Sequence, residues 1–163
     1  MNHIEIHQTD LIDILCDEPN WESHGLDPKK NLLLYGPTGV GKTYALEKYL
    51  RDTFKNVGHR IDAETIEMGI QSRGPDYFQR FYTDNMLWND LGQEERIFMY
   101  MGTQYKPAHS IITMRYERFP ILKTHITTNK TPEKLEEKYG DRVVSRLIEI
   151  CNFINVTGED LRK

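Results

Sequence analysis

The sequence predicts an α/β domain, a mostly parallel sheet covered by helices and built around one phosphate-binding turn. Three observations lead there. Short continuous apolar runs such as Asn31-Leu32-Leu33-Leu34-Tyr35 have the pattern of strands buried on both faces. They alternate with stretches whose apolar residues recur at helical spacing. Between the first such strand and the helix after it lies Gly36-Pro37-Thr38-Gly39-Val40-Gly41-Lys42-Thr43, which satisfies GxxxxGK[ST] in full.

Each element can be justified in order. Residues 1–24 read as a polar leader with one apolar patch, Leu11-Ile12-Asp13-Ile14-Leu15, a short helix that either binds a partner or covers the sheet. The domain core is expected over residues 25–163. Asp27-Pro28 turns the chain into the strand at 31–35. Over residues 42–54, Ala45, Leu46, Tyr49, Leu50 and Phe54 make a helical apolar face. Arg60-Ile61-Asp62-Ala63 reads as a short strand, followed by a helix interrupted at Gly74-Pro75. Asn85-Met86-Leu87-Trp88 is a buried strand ending at Asn89-Asp90. Residues 94–101 and 110–119 read as helices, and 121–128 as a strand. Thr131-Pro132 has the hydroxyl cap and first-turn proline of a helix start. Gly140-Asp141 ends that helix and begins another with the face Val143, Val144, Leu147 and Ile148; a strand at 153–157 closes the pattern.

Composition narrows the function classes. The 163 residues suffice for one domain with a core. Lys plus Arg number 21 against 25 Asp plus Glu, and the resulting −4 excludes a generic cationic nucleic-acid coat. Cys16 and Cys151 lie far apart and form no CxxC, so neither a disulfide scaffold nor a zinc knuckle is indicated. The six histidines show no zinc spacing. No apolar run could span a membrane, and the start lacks a secretory signal pattern, so a cytoplasmic location is expected.

The glycine-rich turn carries the chemistry. Gly36, Gly39 and Gly41 let the backbone curl so that its N–H groups converge on a phosphate, with Pro37, Thr38, Val40 and Tyr44 completing the cradle. The helix N-terminus adds free donors and its dipole. Lys42 reaches the β- and γ-phosphates, and Thr43 offers a hydroxyl to Mg²⁺. ATP with Mg²⁺ is therefore the expected cofactor. A carboxylate is expected at a neighbouring strand end, and Asp90 is the best candidate, with capping of a following helix as the alternative. Glu94 reads equally as an ordinary first-turn acid.

Over residues 25–163 the chain resembles the AAA+ loaders of bacterial and phage replicative helicases, and the related ATP-binding helpers of insertion-sequence transposases. The resemblance rests on the order of several motifs. Leu32 to Thr43 is similar to the family's strand and P-loop, Asn89-Asp90-Leu91-Gly92-Gln93-Glu94 to its Walker B segment, and Ile111-Ile112-Thr113-Met114-Arg115-Tyr116 to a following helix. Thr127-Thr128-Asn129 resembles the sensor 1 segment, Gly140-Asp141-Arg142-Val143-Val144-Ser145-Arg146 the arginine-finger box, and Gly158-Glu159-Asp160-Leu161-Arg162 the closing motif. The resemblance implies an ASCE-type P-loop NTPase sheet without a C-terminal lid domain. It implies that Asn129 binds the attacking water or γ-phosphate. Arg146 would be a finger acting on a neighbouring subunit, with Arg142 as alternative finger or interface partner. Arg115 would be a second sensor near the phosphates or the subunit contact, and Arg162 either a further sensor or a surface residue. Asn89 departs from the family, standing where an aspartate holds Mg²⁺; the site would then hold its metal through Thr43, Asn89 and Asp90, and either Asp90 compensates or hydrolysis is slowed.

The expected function is an ATP-driven oligomeric switch that loads a replicative helicase and contacts single-stranded DNA, with Arg73, Arg80, Arg96 and Lys106 as basic candidates for that contact. One alternative is a transposition helper acting with a transposase on double-stranded DNA. Another is a nucleotide-gated binding module with little hydrolysis.

Overall fold

The computed structural model describes residues 4–55 and 58–162. A six-stranded sheet in the order β1 (Ile4–His7), β8 (Cys151–Thr157), β2 (Asn31–Tyr35), β7 (Thr124–Thr128), β4 (Met86–Trp88), β3 (His59–Ile61) runs through its middle. Every neighbouring pair in it is parallel. All strand C-termini therefore point to one edge, where loops leaving central strands meet.

The period of two along β2 splits the core into two layers. Leu32 and Leu34 point to one face, with Leu87, Ile154 and Val156. There they pack under α1 (Gln8–Cys16) and α2 (Lys42–Phe54) through Leu11, Leu15, Ala45, Leu46 and Tyr49. Leu33 and Tyr35 point to the other face with Ile61, Met86, Trp88, Ile126 and Phe153. That face is covered by α3 (Ala63–Arg73), the 3₁₀ turns at Gly74–Tyr82, α4 (Pro107–Glu117) and α6 (Asp141–Ile150), with α5 (Pro132–Tyr139) alongside. Each fully buried leucine contributes roughly 1.5–3 kcal/mol of transfer free energy, so both layers stabilise the sheet.

Local chemistry explains the element ends. Asp62 and Thr65 form a reciprocal capping box at the start of α3. The Thr131 hydroxyl accepts from the Lys134 N–H at the start of α5, as its sequence predicts.

Two segments differ from the sequence expectation. Ile4–His7, read as leader, is a strand that pairs with β8, and Leu11 and Leu15 of α1 are fully buried. Residues 94–101, read as a helix, contain β5 (Phe98–Tyr100), which pairs antiparallel with β6 (Thr103–Tyr105). Phe98 and Tyr100 pack inward while Met99 is exposed, and Met101 and Gly102 both take positive φ, as a two-residue hairpin turn demands. Strand alternation and a tight turn outweighed the helical spacing of Ile97 and Met101.

Arg115 is also relocated. It is 1% exposed, and its guanidinium donates to Thr124 Oγ1 at 2.7 Å, to the carbonyls of Phe81 at 2.8 Å and Asp84 at 2.7 Å, and to that of Lys123 at 2.6 Å. These partners lie where β4 and β7 begin, at the sheet edge opposite the P-loop. Arg115 is a structural staple and no phosphate sensor. Burial lowers its pKa to about 10, with Asp84 opposing the shift.

Candidate functional site

Three loops leaving the C-terminal ends of β2, β4 and β7 converge on one cleft. The turn 36–41 joins β2 to α2, Asn89 and Asp90 follow β4, and Asn129 follows β7. Since β7 lies between β2 and β4, Asn129 stands between the P-loop and the acid. The cleft has a volume of 370 Å³ and is lined by Thr38, Gly39, Gly41, Lys42, Thr43, Tyr44, Asp90, Asn129, Leu161 and Arg162.

Backbone freedom shapes the cradle. Gly41 is the N-cap of α2 in the left-handed region, and no side chain caps that terminus. The first N–H groups of α2 therefore face the cleft side without a side-chain partner. Gly39 takes a φ of +87°, a left-handed conformation that strains other residues, and a Cβ there would also push against the Asp160 carboxylate.

Lys42 is 5% exposed. Its Nζ donates to the carbonyls of Gly36 at 2.8 Å and Pro37 at 2.6 Å and to Asn129 Oδ1 at 2.8 Å. Burial pushes its pKa down, and Asp90 pulls it back up. The lysine is thus a desolvated cation held by neutral oxygens, ready to exchange them for an anion. Asn129 Nδ2 donates to Asp90 Oδ1 at 3.4 Å, which links cation, amide and carboxylate in one chain.

Asp90 takes a positive φ of 53° and its N–H donates to Thr127 Oγ1 at 3.1 Å. Thr127 also lies 3.5 Å, hydroxyl to hydroxyl, from Thr43. Sequence reasoning missed Thr127; its signal was a polar residue two before Asn129, hence on the same strand face. Leu161 was also missed as a lining residue. Its N–H donates to the Gly39 carbonyl at 3.0 Å, so the C-terminal segment is tied to the crown of the loop. Arg162 lines the same cleft and forms a fork with Asp160 at 3.0 Å.

Other expected residues lie elsewhere. Asn89 is 7% exposed and does not line the cleft; with its amide oxygen turned to Arg60, it accepts from Nη2 at 3.1 Å and Nε at 2.9 Å. That corrects its expected place at the metal. Glu94 is buried, accepting from the Gly92 N–H at 3.0 Å and from the Tyr139 hydroxyl, away from the phosphate cleft. Arg146 donates to Thr113 Oγ1 and lies 5.5 Å over the Tyr116 ring, whereas Arg142 is exposed one turn earlier on α6. Neither lines the cleft of its own chain. Of the basic candidates, Arg80 is tied to His59 at 3.0 Å and stacked on Tyr77, while Arg73, Arg96 and Lys106 are exposed.

The donor set fits a magnesium nucleotide. Among the described residues no group of three or more His, Cys, Asp or Glu could hold a metal by itself. A hydroxyl (Thr43) and one carboxylate (Asp90) face the cleft, which suits an ion that arrives on phosphate oxygens and keeps part of its water shell. Among the described residues no helix is long and apolar enough to cross a membrane.

No family model matches the chain. An insertion sequence IS5376 putative ATP-binding protein of Geobacillus stearothermophilus is 26% identical over 165 residues, covering 84% of this chain and 57% of that protein. AMPPCP-bound DnaA from Aquifex aeolicus superposes with a TM-score of 0.60 at 16% identity, over 88% of this chain and 48% of that one. The replication initiator DnaA bound to AMPPCP and single-stranded DNA gives 0.59 at 16% identity, over 93% and 44%. The chain thus spans about half the length of these proteins. The structural likeness shows the fold alone, a parallel sheet covered by helices as in these DnaA structures. The sequence likeness is a weak relationship to an insertion-sequence ATP-binding protein, in line with the helicase-loader and transposition-helper resemblance.

Proposed function

We propose that the chain binds and hydrolyses MgATP and uses the nucleotide as a switch in handling DNA. One observation carries the reading: Lys42 and Thr43 at the start of α2, with Asp90 and Asn129 from two separate loops, face one cleft. Lys42 would leave the Gly36 and Pro37 carbonyls for the β- and γ-phosphates. Thr43 and Asp90 would hold the metal, which supplies charge neutralisation across the phosphate oxygens. Asn129, already between Lys42 and Asp90, would orient the attacking water. Tyr44, Leu161 and Arg162 line the same cleft alongside the P-loop.

The switch works between subunits in this reading. A finger from α6 of a second copy would complete the site, and Arg142, being exposed, is more available than Arg146, which Thr113 and Tyr116 hold. The favoured client is a replicative helicase, with single-stranded DNA at the exposed Arg73, Arg96 and Lys106. The DnaA complex with single-stranded DNA shares the fold and lends this support. The relationship to an insertion-sequence ATP-binding protein favours a second reading, a transposase partner and double-stranded DNA. The absence of an acid at Asn89 favours a third, a binding module with little turnover. No cysteine bridges another, with Cys16 exposed and Cys151 buried, which suits action in a reducing cytoplasm.

Steady-state phosphate release, measured with and without single- or double-stranded DNA, tests the proposal. Turnover that Lys42→Ala abolishes supports the ATPase, and stimulation by one form of DNA selects between the first two readings. Nucleotide binding without turnover selects the third. Absence of nucleotide binding in magnesium overturns all of them.

A further inference from the structure

This inference rests on the nucleotide-binding reading and concerns which acid serves it. Arg60 of β3 lies opposite Leu87 of β4 in register, so its side chain leaves the same sheet face as those of Leu87 and Asn89, the face that α2 covers. Its guanidinium is shared between two partners. Nη1 pairs with Glu47 Oε1 of α2 at 2.7 Å, while Nη2 and Nε both donate to the Asn89 amide oxygen. The Asn89 N–H also donates to the Ile61 carbonyl of β3 at 2.8 Å. Main chain and side chain together thus tie Asn89 to the outer strand. The next residue goes the opposite way. The Asp90 N–H is held by Thr127 of β7, its carboxylate meets Asn129, and its backbone takes the left-handed turn that this divergence requires.

We propose that Arg60 is a positioning residue that makes this a one-acid phosphate site. It holds Asn89 against β3, out of the cleft, and so leaves Asp90 as the single carboxylate for both Mg²⁺ and the attacking water. Asp90 is the sole acid among the residues lining the cleft. An aspartate at position 89 would offer two oxygens to the same guanidinium and form a charge-assisted fork there. Adding the acid alone therefore creates an ion pair with Arg60 and no metal ligand. Arg60 meets the neutral amide while it also pairs with Glu47, a carboxylate that Arg51 shares at 3.2 Å.

The test is titration of the full chain with fluorescent mant-ADP, in Mg²⁺ and in EDTA, alongside phosphate release. Asp90→Asn should keep EDTA affinity and lose about tenfold or more of the Mg²⁺-dependent gain, with turnover falling in parallel. Asn89→Asp should leave the Mg²⁺ gain within about twofold of the parent. The double variant Arg60→Ala with Asn89→Asp should raise the Mg²⁺ gain by about tenfold, because the new carboxylate is released. A Mg²⁺ gain raised tenfold by Asn89→Asp alone, or left unchanged by Asp90→Asn, overturns this inference while the nucleotide-binding reading stands. A parent chain that binds no mant-ADP in either buffer overturns both.

Discussion

Lys42 and Arg115 are both buried cations, and their partners explain why only one of them is poised to act. Arg115 donates to four oxygens that belong to the framework. Replacing it by methionine strands three backbone carbonyls, and the expected loss is about 3–5 kcal/mol by urea denaturation. Lys42 rests on two carbonyls of a loop and one amide. Lys42→Ala should leave the urea midpoint within experimental error or raise it, since a desolvated charge is removed, while phosphate release falls by about 100-fold or more. The two residues also mark what the sequence could disclose. Lys42 sits in a contiguous motif whose spacing is its own evidence. Arg115 looks like any helical arginine, because its partners come from two other segments of the chain, around Phe81–Asp84 and at Lys123 and Thr124. His125 adds a pH term. Its Nδ1 accepts from the Leu32 N–H at 3.2 Å, and burial pushes its pKa down to about 3. A base with a depressed folded pKa stabilises fully above the unfolded value, near 6.5, and loses that contribution as pH falls toward 3. The structure should therefore weaken by several kcal/mol, roughly, on acidification through that window. His125→Asn, which keeps an acceptor and removes the titration, should flatten the profile in denaturation series across pH.

Among the elements, those with contiguous signals are the ones the sequence discloses. β2, α2, α5 and α6 follow from apolar period and caps within a dozen residues. The hairpin β5–β6 does not, since Ile97, Phe98, Tyr100 and Met101 satisfy helical and strand patterns alike, and only the packing of Phe98 and Tyr100 against the core decides. β1 was invisible for another reason. Its four residues, with Ile4 and Ile6 alternating with Glu5 and His7, become a strand because β8 is there to pair with them. The capping box of α3 gives a test at this scale. Asp62→Ala should cost about 1 kcal/mol, read from the shift in urea midpoint at constant m-value.

At the scale of the whole molecule, residues 4–16 belong to the core. Leu11 and Leu15 are buried against α2, and β1 covers the edge of β8. Deleting residues 1–16 should lower stability by more than about 4 kcal/mol and expose a sheet edge, seen as aggregation in light scattering. A truncated chain with the parent's urea midpoint would show instead that the leader is a detachable module. The parallel sheet also dictates how the protein can be made. Both β1 and β2 flank β8, and Ile4 pairs with Ile154. β1 and β2 therefore find their shared neighbour only by closing long loops, which makes this pairing a slow step of folding. The phosphate loop leaves β2, so β8 must pair with β2 before that loop is braced on both sides and its backbone donors are held for a nucleotide.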